Sequence, residues 1–110
     1  MMAAELAYYK KEYTKALGYL NVIAKRAYGK DNYYTDAAPS AVLKAIENEY
    51  FLEFPAEGVI WWALIRLNTI WKYNTYLEEQ KANNPNILLW PIYNSARNKN
   101  YKLVQTEGWN

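Results

Sequence analysis

The chain has 110 residues, enough for one domain with one modest core, so residues 1–110 form a single domain or a fragment of one. Its twelve Tyr and five Trp exceed the usual share, and these rings must either be buried or bind something. A net charge of +2 does not indicate a nucleic-acid or membrane partner, and without Cys or His there is no disulfide, no thiolate nucleophile and no predicted metal or cofactor.

The start of the chain, from Met1 to Glu5, has no basic region followed by an apolar core and no Cys for lipid attachment. The longest uncharged apolar run, Val59 to Ile65, is far shorter than the roughly 18 to 20 residues of a membrane span. We therefore expect the chain, as written, to carry no export signal and to be soluble or part of something soluble.

Apolar residues at spacings of three and four predict one amphipathic helix from Ala3 to about Tyr28. Gly29 follows as a left-handed stop, and Lys25 and Arg26 lie in the last turn, where cations suit the helix dipole. The apolar stripe consists of Leu6, Tyr9, Tyr13, Ala16, Leu20, Ile23 and Ala27.

Turn-forming residues predict a loop from Lys30 to Ala38, and Pro39 with Ser40 then marks the start of a second helix that Pro55 ends or kinks. Gly58 separates this helix from the segment Val59 to Ile65, which is apolar on every face. Such a segment is either the most buried helix or an exposed interface.

A further helix is predicted from Ile70 to about Lys81, and the stretch Asn83 to Asn86 stops it. Beyond it, Pro91 lacks a donor and disfavours helical backbone at Trp90, so the chain end should be a coil docked on the body; a fraying polar tail is the alternative. The predicted fold is all-α, with three to four helices and an extended, irregular C-terminal segment.

The spacing of the last twenty residues resembles the closing motif of the SusD/RagB family of surface nutrient-binding lipoproteins. That motif contains a Pro-Ile-Pro turn, an Asn-Pro, a Leu, a Gln-Asn and a Gly-aromatic pair. The residues that match it without a gap are Pro91, Ile92, Asn100, Leu103, Gln105, Gly108 and Trp109.

Two upstream segments resemble the same family in the same order. Leu20 to Ile23 followed by Arg26 to Gly29 is similar to one of its helix endings, and the stretch from Ile46 to Arg66 has the spacing of its central motif. The resemblance is strongest over residues 20–110 and implies the C-terminal part of a longer SusD-like helical protein. The motif residues for which we expect a structural role are Asn21, Arg26, Glu49, Glu53, Glu57, Gly58, Arg66, Pro91, Asn100, Gln105 and Gly108.

Glu49, Glu53 and Glu57 would share one face of a continuous helix. Like charges at this spacing repel one another unless cationic side chains pair with them. The family supplies arginines at three positions that differ in this chain, namely Ala24, Tyr50 and Ile60. Arg26 and Arg66 are the remaining partners. Paired carboxylates also hydrolyse glycosides, but these three project from one rod, so we favour structural ion pairs and predict no catalytic residue and no enzyme.

Exposed aromatic rings can stack against sugar rings, and the candidates for glycan binding are Trp71, Tyr73 and Tyr76, together with the loop tyrosines Tyr33 and Tyr34. Core packing is the competing interpretation for every ring. It is strongest for Trp61, Trp62 and Trp90, which we expect to be buried. The resemblance implies that the glycan-contacting aromatics of the family lie largely upstream of this region.

The resemblance implies a non-catalytic oligosaccharide-binding protein at the outer face of a Gram-negative outer membrane, which passes glycans to a SusC-type TonB-dependent transporter. The missing N-terminal part of the same protein would supply the export signal and the lipid-attachment Cys. The alternative is a free-standing helical protein-protein interaction module, suggested by Val59 to Ile65. A nucleic-acid binder is a weaker hypothesis and no nucleic-acid partner is predicted; the basic residues concerned are Lys10, Lys11, Lys15, Lys25, Arg26 and Lys30.

Overall fold

The computed structural model describes residues 1–109, so Asn110, at the end of the predicted closing segment, lies outside the described residues. Within residues 1–109 the fold is all-α, as predicted, and has no β-strand. The contacts divide the chain into two units, one from Met1 to Ala63 (unit 1) and one beginning at Leu64 (unit 2). The α-helices are Met2–Tyr9 (α1), Tyr13–Tyr28 (α2), Pro39–Glu53 (α3), Val59–Arg66 (α4), Thr75–Gln80 (α5) and Asn94–Lys99 (α6), with a 3₁₀ helix at Ile70–Lys72.

The prediction of one helix from Ala3 to Tyr28 is wrong, because the structure has two helices there, α1 and α2. Lys11 takes the left-handed conformation, with φ of 61°. Its N–H donates to the Tyr8 carbonyl, and the Glu12 N–H donates to the Ala7 carbonyl, both at 2.9 Å. This is a Schellman ending. The residue in the left-handed position of this ending is Lys11 and not glycine. The sequence therefore contains no glycine stop signal between α1 and α2, and the apolar spacing continues across the break.

Helices α1, α2 and α3 pack against one another in unit 1. Leu20, Val42 and Ile46 are fully buried among them and form the centre of the core. A buried hydrogen bond of 2.7 Å from the Tyr50 hydroxyl to Glu5 Oε2 also joins α3 to α1. Tyr50 occupies a position where the family resemblance places an arginine. At this position a neutral hydroxyl therefore donates to the buried carboxylate of Glu5.

The loop between α2 and α3 begins and ends where the sequence predicts. Gly29 caps α2 with φ of 66°, and Pro39 is the first residue of α3. Asn21 of α2 holds this loop through two hydrogen bonds to Tyr34. Asn21 Oδ1 accepts the Tyr34 N–H at 2.8 Å, and Asn21 Nδ2 donates to the Tyr34 carbonyl at 2.9 Å. One amide side chain therefore satisfies both main-chain groups of a loop residue.

Helix α4 crosses the boundary between the two units, and it is not the most buried helix. Ala63 and Leu64 are buried, but Trp61 and Trp62 are exposed, Trp62 to 54%. Trp90, before Pro91, is 83% exposed. The prediction that these three tryptophans are buried is wrong. For Trp61 and Trp62 the reason is that an eight-residue helix that is apolar all round cannot bury every face. No helix within residues 1–109 has the length and apolarity needed to cross a membrane.

Unit 2 consists of short helices and irregular chain. The 3₁₀ helix and α5 replace the one helix predicted up to Lys81, because Asn74 lies between them and starts α5 anew. Its Oδ1 accepts the Leu77 N–H at 3.1 Å, as an N-cap does. The six-residue helix α6 lies in the segment that the sequence predicts to be extended, and it buries none of its residues.

Two amide side chains hold the closing segment of unit 2. Gln105 Oε1 accepts the Ile92 N–H at 2.8 Å, and Gln105 Nε2 donates to the Ile92 carbonyl at 3.1 Å. Asn86 Nδ2 donates to the Glu107 carbonyl at 3.1 Å, while the Asn86 carbonyl accepts the Trp109 indole N–H at 3.3 Å. Residues up to Trp109 are thus held by specific contacts within unit 2 and do not form a fraying tail. Docking of this segment on the body of a larger protein stays a prediction.

Replacing Gly108 should weaken unit 2. A Cβ at this position would lie 2.1 Å from Asn84 Oδ1, and the backbone has φ of 89°. We expect Gly108→Ala to lower the free energy of unfolding by about 1–3 kcal/mol, since the clash and the left-handed strain add. Urea unfolding followed by tryptophan fluorescence, with Trp109 as a local reporter, measures the loss.

The control for that experiment is Gly18→Ala in α2, where a Cβ would meet nothing within 4 Å. This change should raise the free energy of unfolding by about 0.5–1 kcal/mol, because alanine is the better helix former. Far-ultraviolet circular dichroism follows unit 1. Equal stability of the two variants would contradict the close packing of Gly108 on Asn84.

Candidate functional site

Of the three predicted glycan-binding residues, Trp71 lies in the 3₁₀ helix, Tyr73 directly follows that helix, and Tyr76 lies in α5. The 3₁₀ helix and α5 contact each other in unit 2. Trp71 is half-buried in the 3₁₀ helix, and its indole N–H donates to Asn68 Oδ1 at 2.9 Å. The ammonium of Lys81 lies 4.4 Å from the centroid of the Trp71 ring. This cation–π contact covers one face of the indole, so less of the Trp71 ring is available for stacking on a ligand.

Tyr73 and Tyr76 are more open. They lie on either side of the capping residue Asn74, and Tyr76 is 64% exposed. The cap fixes the path of the main chain between the two tyrosines. Each exposed ring carries an apolar face and a hydroxyl group, a combination that suits the apolar faces and hydroxyls of a sugar.

The second cluster of functional groups lies in unit 1 around Glu49, which is fully buried on α3. Glu49 Oε1 accepts hydrogen bonds from the Tyr34 hydroxyl and, at a longer 3.4 Å, from the Tyr28 hydroxyl. Glu49 Oε2 has no hydrogen-bond partner among the described residues. Tyrosine hydroxyls thus take the place that a guanidinium would fill for a buried carboxylate.

Burial raises the pKa of Tyr34 above its ordinary value of 10.0, and the hydrogen bond to Glu49 raises it further. The pKa of Tyr28 is raised as well, first by desolvation and then by the nearby charge of Glu49. Both hydroxyls therefore remain protonated and act as donors throughout the physiological range.

The other residues of the central motif do not form a ladder along one helix. Arg26 of α2 pairs with Glu53 at the end of α3. Glu57 lies beyond the end of α3, so it does not share a face with Glu49 and Glu53. Gly58 precedes α4, and Arg66 is the last residue of α4. The motif therefore distributes its charges over separate local contacts.

The terminal motif residues act on the main chain. Gln105 and Gly108 make the contacts described above, and Pro91 directly precedes Ile92, which Gln105 holds. Asn100 forms a turn, in which its Oδ1 accepts the Lys102 N–H and its carbonyl accepts the Leu103 N–H. The observed contacts of these residues thus shape irregular backbone.

The sequence did not indicate which residues contact the closing motif. Asn84 and Asn86 lie in the predicted helix stop, and the structure shows that Asn84 lies against Gly108 and that Asn86 bonds to Glu107 and Trp109. The donation from Tyr34 to Glu49 was missed as well. An amide or hydroxyl that meets a residue 15 to 23 positions away leaves no periodic signal in the sequence.

The described residues form an all-α protein with exposed tyrosines, in which Glu49 and Glu53 are engaged by Tyr34 and Arg26. The model of the SusD family matches residues 1–109, and the chain therefore belongs to this family, as the motifs predict. The match includes residues 1–19, which the motifs do not reach. No match was found among curated proteins or among solved structures. Proteins of the SusD family are binding proteins of nutrient uptake and not enzymes.

Removing the Tyr34 hydroxyl should destabilise unit 1. We expect Tyr34→Phe to lower the free energy of unfolding by about 1.5–3 kcal/mol, because the buried Glu49 carboxylate loses its main donor. Tyr33→Phe is the matched control, since the Tyr33 side chain makes ring contacts with Tyr28 and Tyr34 but donates no hydrogen bond within the described residues. Equal losses in both variants, measured by urea unfolding, would contradict the assigned role of Tyr34.

The difference in stability between the wild type and Tyr34→Phe should depend on pH. The folded chain holds the Tyr34 proton above pH 10.0, where the unfolded chain releases it. The stabilising contribution is therefore complete below that pH and declines as the pH rises further. The difference in unfolding free energy between the wild type and Tyr34→Phe should shrink between about pH 10 and 11.5. A constant or growing difference would be the contrary result.

Proposed function

We propose that this chain is the C-terminal part of a non-catalytic oligosaccharide-binding component of an outer-membrane glycan uptake system. The observation that carries the proposal is the family match over residues 1–109. The exposed rings of Tyr73 and Tyr76 in unit 2 support it, because they offer flat apolar surface next to hydroxyl groups.

The partners follow from membership of the family. We propose that the full-length protein is held at the outer face of the outer membrane and passes its oligosaccharide to a SusC-type TonB-dependent transporter. A preceding part of the same protein would supply the export signal, the lipid-attachment Cys and further glycan contacts. In this arrangement the present chain contributes part of the binding surface.

The positions of the glutamates favour binding over bond cleavage. Glycoside hydrolysis needs two carboxyl groups about 5 to 9.5 Å apart across a cleft. Glu49 is buried beneath tyrosine hydroxyls and Glu53 is paired with Arg26. Glu57 lies outside the helix that carries the other two. The three carboxylates are therefore not arranged as an acid and a base on facing walls.

A second function is favoured by one observation, the exposure of Trp61 and Trp62 on α4. Exposed tryptophans on a short apolar helix are typical of protein-protein interfaces. If the chain is a free-standing helical interaction module, sedimentation of the isolated chain should give a defined dimer. Heterogeneous association would instead indicate a surface that another part of the same protein covers.

Nucleic-acid binding receives less support. Two of the basic residues that suggested it are paired with carboxylates, Lys15 with Glu12 and Lys25 with Asp31, each at 2.8 Å. Arg26 is paired with Glu53. These pairs divide the cluster of positive charge that binding to phosphate groups requires.

Tyr76→Ala should weaken oligosaccharide binding by about tenfold, because removal of a stacking ring typically costs more than 1 kcal/mol. The matched control is Tyr101→Ala in the same unit, since Tyr101 is 90% exposed and is not among the predicted glycan-binding residues. A glycan array identifies an oligosaccharide that the wild type binds, and isothermal titration then compares the variants. Equal affinity of Tyr76→Ala and Tyr101→Ala would remove this surface from the proposal.

A further inference from the structure

Unit 1 contains an open groove of about 340 Å³, between the tyrosines that follow α2 and one face of α3. This volume falls in the range of roughly 300–1,000 Å³ that small-ligand sites occupy. The groove is lined by Tyr28, Tyr33, Tyr34, Asn48, Phe51 and Leu52. Aromatic rings thus occur on the tyrosine side and on the α3 side, together with one amide.

The tyrosine side of the groove is held in place before any ligand arrives. The main chain of Tyr34 is paired in both directions with Asn21, and its hydroxyl is anchored on Glu49. Tyr33 packs against Tyr28 with ring centroids 4.8 Å apart, and against Tyr34 at 4.9 Å. A prearranged aromatic surface binds more tightly, because little side-chain freedom remains to be lost.

Part of the groove lining remains exposed to solvent. Tyr33 is 48% exposed, and its side chain donates no hydrogen bond within the described part of the chain. Leu52, on the α3 side, is 61% exposed. Large apolar side chains that remain in water around a ligand-sized groove are the usual mark of a binding surface.

The lining also indicates the charge of the ligand. None of its six residues carries a formal charge at neutral pH, and the nearby Arg26 and Glu53 neutralise each other. The raised pKa values of Tyr28 and Tyr34 keep their hydroxyls protonated. A phosphate, sulfate or carboxylate group would find no cation among these residues, whereas a neutral ligand with an apolar face and hydroxyl edges would suit them.

We propose that this groove binds one neutral pyranose unit of an oligosaccharide, stacked on the ring of Tyr33 and hydrogen-bonded by the Asn48 amide. The inference rests on the proposed function, and it adds a second binding site in unit 1, separate in sequence from Tyr73 and Tyr76. The polar edge supplied by Asn48 and the tyrosine hydroxyls distinguishes a sugar from a purely apolar occupant.

Two variants of the whole chain test the groove. Tyr33→Ala removes the stacking ring, and Leu52→Lys places a charged side chain at the α3 side. Both positions are exposed, so neither change should unfold the protein. The matched controls are Tyr19→Ala and Val22→Lys on α2, which change exposed residues outside the groove. Circular dichroism and thermal unfolding check that all four variants fold.

The probes are neutral maltoheptaose, cellohexaose, xylohexaose and mannohexaose, with oligogalacturonate as the acidic comparison. Titration followed by amide resonances should show binding of at least one neutral probe, with shifts at Tyr33, Asn48 and Leu52. Tyr33→Ala and Leu52→Lys should each weaken that binding by about tenfold or more, and the controls should change it by less than about twofold.

The contrary results are distinct. If a neutral probe binds and Tyr76→Ala weakens it, but Tyr33→Ala and Leu52→Lys do not, the groove is not a site and the proposed function stands. If only oligogalacturonate binds, the inference of a neutral ligand is wrong. If none of the five probes binds the wild-type chain, the groove proposal fails; if a broader glycan array is also negative, carbohydrate binding by this chain fails with it.

Discussion

A side-chain amide that pairs in both directions with the main chain of one distant residue organises irregular backbone in each unit. Asn21 pairs in this way with Tyr34 in unit 1, and Gln105 pairs with Ile92 in unit 2. The carboxamide has the same donor and acceptor as a peptide group, so it completes hydrogen bonds that a loop residue cannot find in a helix or a sheet. In unit 1 the position of the Tyr34 hydroxyl, and through it the environment of Glu49, depends on this contact.

Two buried carboxylates of unit 1 accept hydrogen bonds from tyrosine hydroxyls. Glu49 accepts from Tyr34, and Glu5 accepts from Tyr50, which occupies a position where the family resemblance places an arginine. A neutral donor gives less Coulomb attraction than a guanidinium, but it also avoids the desolvation of a second charge. One result is that the groove beside Tyr34 has an uncharged lining.

Features set by one or two neighbouring residues were predictable from the sequence. The stop at Gly29, the loop after it and the end of α3 before Pro55 follow from local backbone chemistry. The break at Lys11 was not predictable, because a lysine takes the left-handed position that usually holds glycine. The exposure of Trp62 and the contact of Gly108 with Asn84 depend on which surfaces meet in three dimensions. A periodic pattern contains no information about those surfaces.

The residues that identify the family and the residues that offer a binding surface are different sets. Asn21, Gln105 and Gly108 act on the main chain and leave no group facing a ligand. The rings of Tyr33 and Tyr76 are exposed, and no side-chain hydrogen bond of theirs within the described residues supports the fold. Under the proposed function, substitution of such a ring would change what the surface binds, while the amide contacts that hold the backbone would remain. Ligand specificity could then change independently of the fold, and the motifs that assign this chain to its family do not identify a ligand.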